Sequence, residues 1–332
     1  MDPRRGATSS SARQMSRAPS ARLSWLVLVG LLALSTFSCS HEPTGIHASS
    51  VRVVLITFDG LRPDAISQDD MPNLWRIAKQ GAATSHAQTV IPSLTLPSHT
   101  SMMTGLIPER HGITWNDDAA GKDSIHVHFP TMFDIAEQSG YVTAMFVGKS
   151  KLNAITHDGS PNELSVPPPN KDGSPGIWYA TDVSAKVLAY LTQVNAGFKP
   201  KPKLMWIHLP DVDLVGHRDG WMSPAYIATV KHVDSVFATI FAGLQQSFGA
   251  DLVLIASSDH GGHDKGHVDG DVNPISRTTP WIAWGKPVRA GILADSVNET
   301  DNAATMLWLI GLTPPAGWDG RPVTGAFPSL IR

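Results

Sequence analysis

The chain has 332 residues, 42% of them apolar and 17% charged, which excludes a disordered or fibrous protein and suits one large domain with at most a modest insertion. A formal net charge of −3 gives no electrostatic ground for a nucleic-acid partner. Fourteen histidines against four tyrosines is a balance that points toward metal ligation, because imidazole is the commonest metal ligand.

In chain order, Arg4, Arg5, Arg13, Arg17 and Arg22 precede the apolar run Trp25 to Leu34, and small residues follow it. This pattern predicts an export signal over residues 1–39. The apolar run is shorter than the about 20 residues that span a bilayer. Met15 offers a second start that would give the signal a more ordinary length. The single cysteine, Cys39, stands where a bacterial lipoprotein carries its lipid, although Thr36 and Phe37 fit that signal poorly. A lipid anchor at Cys39 and an ordinary cleavage site both stay open, with a periplasmic or envelope-anchored protein as the expectation in either case. Residues 40–50 read as a flexible lead, and the folded domain is expected over 51–332.

The β-branched run Val51 to Phe58 predicts a buried parallel strand, ended by Asp59 and Gly60. A helix follows in MPNLWRIAKQGA, stopped at Gly81, and another in FPTMFDIAEQSG, stopped at Gly140. The strand YVTAMFVG, the helix TDVSAKVLAYLTQV, the strand KLMWIHL, a long helix from Ser223 to Gln246, the strand DLVLIAS and the helix NAATMLWLIGL complete the series. Alternating strands and helices predict an α/β fold with a mainly parallel central sheet and helices on both faces. The Pro- and Gly-punctuated segment from about Asn116 to Asp182 is the expected position of a small cap insertion.

Metal-type side chains recur where these strands end. Asp59 follows the first strand, and Thr95 and His99 lie in IPSLTLPSHTSMMTG. Asp213 and His217 follow KLMWIHL, and Asp259, His260, His263 and His267 crowd into SSDHGGHDKGH. Ligands of open α/β sheets gather at the carboxyl ends of strands, so these distant positions can converge. Carboxylates with imidazoles suit zinc, and two such ions form a clamp for phosphoryl chemistry.

Together the segments VVLITFDGLRPD, MPNLWRIAKQGA, TLPSHTSMMTGLIPERHGI, DLVGH, SSDHGGHDKGH and NAATMLWLIGLTPPAGWDGRPV resemble the alkaline phosphatase superfamily. Within it they are similar to the nucleotide pyrophosphatase/phosphodiesterase branch. The resemblance implies an alkaline-phosphatase-like fold and an exported phosphodiesterase with two zinc ions per chain and a small-molecule phosphoester substrate. It implies Asp59, Asp259 and His260 as ligands of one zinc, shared with the nucleophile Thr95. It implies Asp213, His217 and a later histidine for the second zinc, His267 matching compact members and His263 being the alternative. Thr95 would attack phosphorus and form a phosphothreonyl intermediate, which zinc-activated water hydrolyses.

Departures from the family pattern concern specificity. Thr95 and His99 occupy the positions of the Cys/Ser and Arg of sulfatases, which argues against sulfate esters. Leu94 and Ser98 stand where the diesterases usually have Lys and Asn, although a serine hydroxyl still donates one hydrogen bond to a phosphoryl oxygen. Lys149, with Lys151 near it, is placed to reach an anionic substrate group, and Trp115 and Asn116 to line a pocket. His99 is expected to order the nucleophile loop, His111 to be structural and His208 to be core. A phosphomonoesterase or phosphonate hydrolase on the same scaffold is the alternative enzyme. A metal-stabilised envelope binding protein is the alternative outside catalysis.

Overall fold

The computed structural model describes residues 50–117, 126–172, 174–270 and 272–331; the expected export signal with Cys39, and residues 40–49 of the lead, lie outside the described residues. The run Arg52–Phe58 forms strand β1, followed by α1 (Pro72–Gln80), β2 (Ala82–Gln88), α2 (Thr95–Thr104), α3 (Pro108–His111), α4 (Met132–Gln138), β3 (Thr143–Phe146) and β4 (Glu163–Ser165). Then come α5 (Ala180–Asn195), β5 (Leu204–Leu209), α6 (Asp211–Asp219), α7 (Pro224–Phe248), β6 (Leu252–Ser257), α8 (Pro274–Arg277), β7 (Thr278–Gly285), β8 (Gly291–Ile292) and α9 (Asp301–Leu309).

The strands form one sheet in the order β4-β3-β5-β1-β6-β7-β2-β8. β1 lies at its centre, parallel to both β5 and β6, and only β7 runs antiparallel to its neighbours. The sheet is therefore mainly parallel, as expected. Successive side chains of a strand point to opposite faces, and here both faces are apolar. Val54, Ile56 and Phe58 pack with Met205, Ile207 and Leu254 against α1, α5 and α7. Val53 and Leu55 pack with Trp206, Val253 and Ile255 against α2, α4 and α9.

Helix α7 is long and apolar enough, by length and composition alone, to cross a membrane. Its residues Val230, Val233, Phe237, Ile240 and Leu244 belong to the first of these cores. The same helix caps a neighbour. α1 begins at Pro72 without a side-chain cap of its own, and Asp234 of α7 accepts from Asn73 N (3.0 Å) and Leu74 N (2.9 Å). A carboxylate at a helix N-terminus satisfies otherwise unpaired amides and complements the dipole.

The segment from Asn116 to Asp182, where a small cap was expected, supplies β3, β4 and α4 to the main framework. Its Pro and Gly punctuation marks the crossover between β4 and α5. Residues 118–125 of that segment lie outside the described residues.

Candidate metal centre

The centre is assembled where the middle strands of the sheet end. Asp59 directly follows β1, and Asp259 and His260 lie just beyond β6. After β5 the chain turns at once into α6, which sets Asp213 and His217 four residues apart on one helical face. The turn at Gly60 has φ +70°, and a Cβ there would lie 3.0 Å from both Cα and Cβ of Asp213. Only glycine lets β1 and α6 approach so closely.

Three histidines present the same atom. The Nδ1 of His260 donates to Gly261 O (2.8 Å), that of His267 to Ser93 O (2.6 Å) and that of His217 to Lys265 O (3.0 Å). These bonds assign the proton to Nδ1 and leave each Nε2 as a lone-pair donor. Three carboxylates are divided in the same way. Asp59 Oδ2 accepts from Lys149 Nζ (2.7 Å) and His208 Nε2 (2.9 Å), Asp213 Oδ2 accepts from Lys149 Nζ (2.6 Å), and Asp259 Oδ1 accepts from Gly60 N (3.0 Å). Their other oxygens, together with His260 Nε2, are buried without a protein hydrogen-bond partner.

Those bare atoms face one another. His260 Nε2 lies 3.3 Å from Asp259 Oδ2, 3.5 Å from Asp59 Oδ1 and 3.9 Å from Asp213 Oδ1. Asp213 Oδ1 is 3.3 Å from His217 Nε2 and 3.7 Å from His267 Nε2, and the two imidazole nitrogens are 3.1 Å apart. Ligand atoms at 2.0–2.2 Å from a tetrahedral zinc stand roughly 3.3–3.6 Å from each other. Asp59, Asp259 and His260 form one buried group of this kind, and Asp213, His260 and His267 form a second. His217 reaches the second group from its exposed side. Orphaned buried oxygens and nitrogens at ligand spacing are a costly arrangement unless cations fill it, so the residues fit two divalent ions.

Charge distribution agrees. Burial, the largest single influence, opposes ionisation of Asp59 and Asp213, but the Lys149 ammonium together with His208 and His260 at Asp59, and with His217 and His260 at Asp213, holds both carboxyls below their ordinary range. Burial and then the Asp59 carboxylate push Asp259 well above its usual range. Burial lowers His260, and burial and then His260 bring His267 down to about 3. Both rings are therefore neutral at physiological pH, as metal ligation requires.

Thr95 is the first residue of α2, and its Oγ1 lies 3.5 Å from Lys149 Nζ. His99 fixes that turn: its Nδ1 donates to Thr95 O (2.8 Å) and its Nε2 accepts from the Thr57 hydroxyl (3.1 Å), which in turn accepts from Trp206 Nε1 (3.0 Å). Leu96 N donates to Asn116 Oδ1 (3.0 Å), and Lys151 Nζ donates to Asn116 O (2.8 Å), so the loop after α3 is tied to the start of α2. Trp115, beside it, is half-buried against the second core.

Several expected roles find other geometry. Ser98 is fully buried with its hydroxyl on Thr89 (2.9 Å), which donates to the buried Glu299 (2.7 Å); this arrangement offers no donation to a phosphoryl oxygen. His263 pairs with Asp264 (3.0 Å) and Asp269 (2.8 Å) and belongs to neither ligand group. His111 accepts or donates to Ser101 Oγ (2.9 Å), as a structural residue would. His208 is core, as expected, but it also orients Asp59: its Nδ1 accepts from Gly148 N (3.1 Å), which leaves Nε2–H for Asp59. A groove of about 430 Å³ lined by Arg62, Asp64, His86 and Ile275 contains none of these residues.

A family model described as type I phosphodiesterase / nucleotide pyrophosphatase matches residues 53–277. An uncharacterised pyrophosphatase/phosphodiesterase of Schizosaccharomyces pombe is 29% identical over 218 residues, covering 63% of this chain and 44% of that relative. A bis(5'-adenosyl)-triphosphatase of Mus musculus is 28% identical over 226 residues, covering 64% of this chain and 48% of that relative. The chain thus spans less than half the length of these two curated relatives. Human ectonucleotide pyrophosphatase/phosphodiesterase 5 superposes with a TM-score of 0.65 at 17% identity, covering 85% of this chain and all of that one.

Proposed function

Because the chain belongs to the type I phosphodiesterase/nucleotide pyrophosphatase family of the alkaline phosphatase superfamily, we propose that it is an exported dizinc phosphodiesterase that works through Thr95. The observation that carries this reading is the set of bare carboxylate oxygens and imidazole nitrogens facing one another beside Lys149 and Thr95. Asp59, Asp259 and His260 would hold one ion, and Asp213, His217 and His267 the other. Such ions supply Lewis acidity and lower the pKa of a coordinated hydroxyl or water.

The chain's own residues account for the remaining steps. Thr95 Oγ1 attacks phosphorus as the alcohol of the ester leaves, giving a phosphothreonyl intermediate that water then cleaves. His99 fixes the Thr95 carbonyl, so the nucleophile needs no reorganisation at the moment of attack. The N-terminus of α2 places its dipole toward charge developing on the phosphoryl oxygens. Asn116 and Trp115 border the nucleophile and contact the substrate. The name of the mouse relative supports testing nucleotide leaving groups. The arginine-rich start with its apolar run supports export, which cell fractionation with and without Cys39→Ser tests.

The deciding experiment compares metal-analysed wild type with Thr95→Ala on bis(p-nitrophenyl) phosphate and p-nitrophenyl phosphate. Two zinc ions per chain and diester hydrolysis that vanishes in the variant is the expected result. Full zinc content with no turnover of either ester by wild type would refute catalysis and favour an envelope binding protein.

A further inference from the structure

Lys149 follows β3 and is only 4% exposed. The backbone pins it: residue 149 bridges Ile177, Trp178 N donates to Gly148 O (2.9 Å), and a Cβ on Gly148 would meet Pro210 Cδ at 2.5 Å. Its ammonium touches one carboxylate from each ligand group, through Asp59 Oδ2 and Asp213 Oδ2, and reaches toward Thr95 Oγ1. The oxygens it uses are not those left bare for cations. Lys149 can therefore stay in place when both groups are filled.

That geometry has a charge consequence. Three ligand carboxylates and an ionised Thr95 carry four negative charges, which two divalent ions balance. Lys149 then leaves the loaded centre one positive charge in excess, next to the attacking atom. An ammonium has three protons. Two are directed at Asp59 and Asp213, which leaves the third for the side of Thr95 Oγ1, 3.5 Å away. A diester presents one negative charge on its phosphoryl group, whereas a monoester presents two.

We propose that Lys149 is a specificity-determining residue that pairs with the second negative charge of a dianionic phosphoryl group and so extends this site to phosphomonoesters. The inference rests on the Thr95 reading above. For a monoester, Thr95 Oγ forms the bond to phosphorus while the bond to the alcohol oxygen breaks and that oxygen takes up a proton. Water then displaces Thr95, and inorganic phosphate leaves.

The test uses zinc-loaded wild type, Lys149→Met and Lys149→Arg. The ratio of kcat/KM for p-nitrophenyl phosphate over bis(p-nitrophenyl) phosphate is expected to fall roughly 10- to 100-fold in Lys149→Met, the loss of one charge-assisted hydrogen bond, with partial recovery in Lys149→Arg. Calorimetric affinity for inorganic phosphate should fall by a similar factor, and affinity for dimethyl phosphate should hardly change. A constant ratio, or equal losses on both esters, overturns the proposal. Wild type alone keeps it falsifiable should the variants not fold: at a pH where inorganic phosphate is a dianion, binding no tighter than that of dimethyl phosphate also overturns it. Turnover that survives in Thr95→Ala would instead refute the nucleophile assignment, and the phosphate-binding comparison would still decide the role of Lys149.

Discussion

Replacing His208 by Phe keeps the ring that packs edge-on to His99 (centroids 4.9 Å apart) and removes both of its nitrogens. One lost bond is to the ionised Asp59, worth about 1.5–3 kcal/mol, and the other strands the buried Gly148 N–H, at about 1–3 kcal/mol. Lys149 still contacts Asp59 Oδ2 at 2.7 Å, so the carboxylate is not left without a partner. A net loss of about 2.5–6 kcal/mol is expected, a fall in melting temperature of roughly 4–10 °C for a domain of this size. Asp59 also loses the contact that sets its orientation toward the ion, and such outer contacts typically contribute about 10- to 100-fold in metal affinity. Chelator competition on zinc-loaded protein, read beside thermal melting, separates the two effects. Unchanged zinc affinity at full stoichiometry would refute the positioning role, even if the melting temperature dropped.

Four further outcomes follow from the same contacts. His267→Ala should reduce zinc to about one equivalent per chain while His263→Ala retains two, and elemental analysis showing the reverse would exchange their assignments. Gly60→Ala places a Cβ against Asp213 at positive φ, so a destabilisation of at least about 1 kcal/mol and weakened metal binding are expected in denaturant titration; a neutral variant would contradict the close approach. Stripping the metals should lower the melting temperature, since ions at a thousandfold excess over Kd add about 4 kcal/mol per site; identical melts with and without chelator would argue against the centre. Glu299 is buried and its carboxyl is pushed well above the ordinary value of 4.5. The unfolded chain thus releases this proton at lower pH than the folded one, and its contribution to stability falls as pH rises above about 4.5. Glu299→Gln lacks that slope, so its melting temperature should gain on wild type between pH 5 and pH 8, and parallel curves would refute the assignment.

The candidate ligand residues were legible because each follows a strand whose apolar run is unmistakable, and because several of them lie close together in sequence. The helices α1, α5, α7 and α9 were legible from their apolar spacing. α2 was not, since all ten of its residues are buried and a helix surrounded by protein has no polar face to create periodicity. Strand β2, AATSHAQ, which lies next to the short edge strand β8, lacks the apolar alternation that marks a strand, and its Ser85 and His86 are exposed. His208 reads as core because β5 is buried on both faces, which removes alternation. Its link to Asp59 depends on the register that sets Thr57 beside His208, and register between distant strands is a tertiary fact. The same holds for Lys149, whose carboxylate partners come from the ends of two other strands.

The complete burial of α2 bears on how such a protein can change its substrate over evolutionary time. Thr95 rides on a helix with protein on every side, clamped by His99 and Asn116, so substitutions there disturb folding before they retune recognition. The side chains with freedom to vary are the exposed Val268 and Val272, on the stretch that follows His267. Insertions or exchanges in that stretch can present new leaving groups to an unaltered reaction centre. On the function proposed above, catalysis and selectivity are in this sense separately heritable.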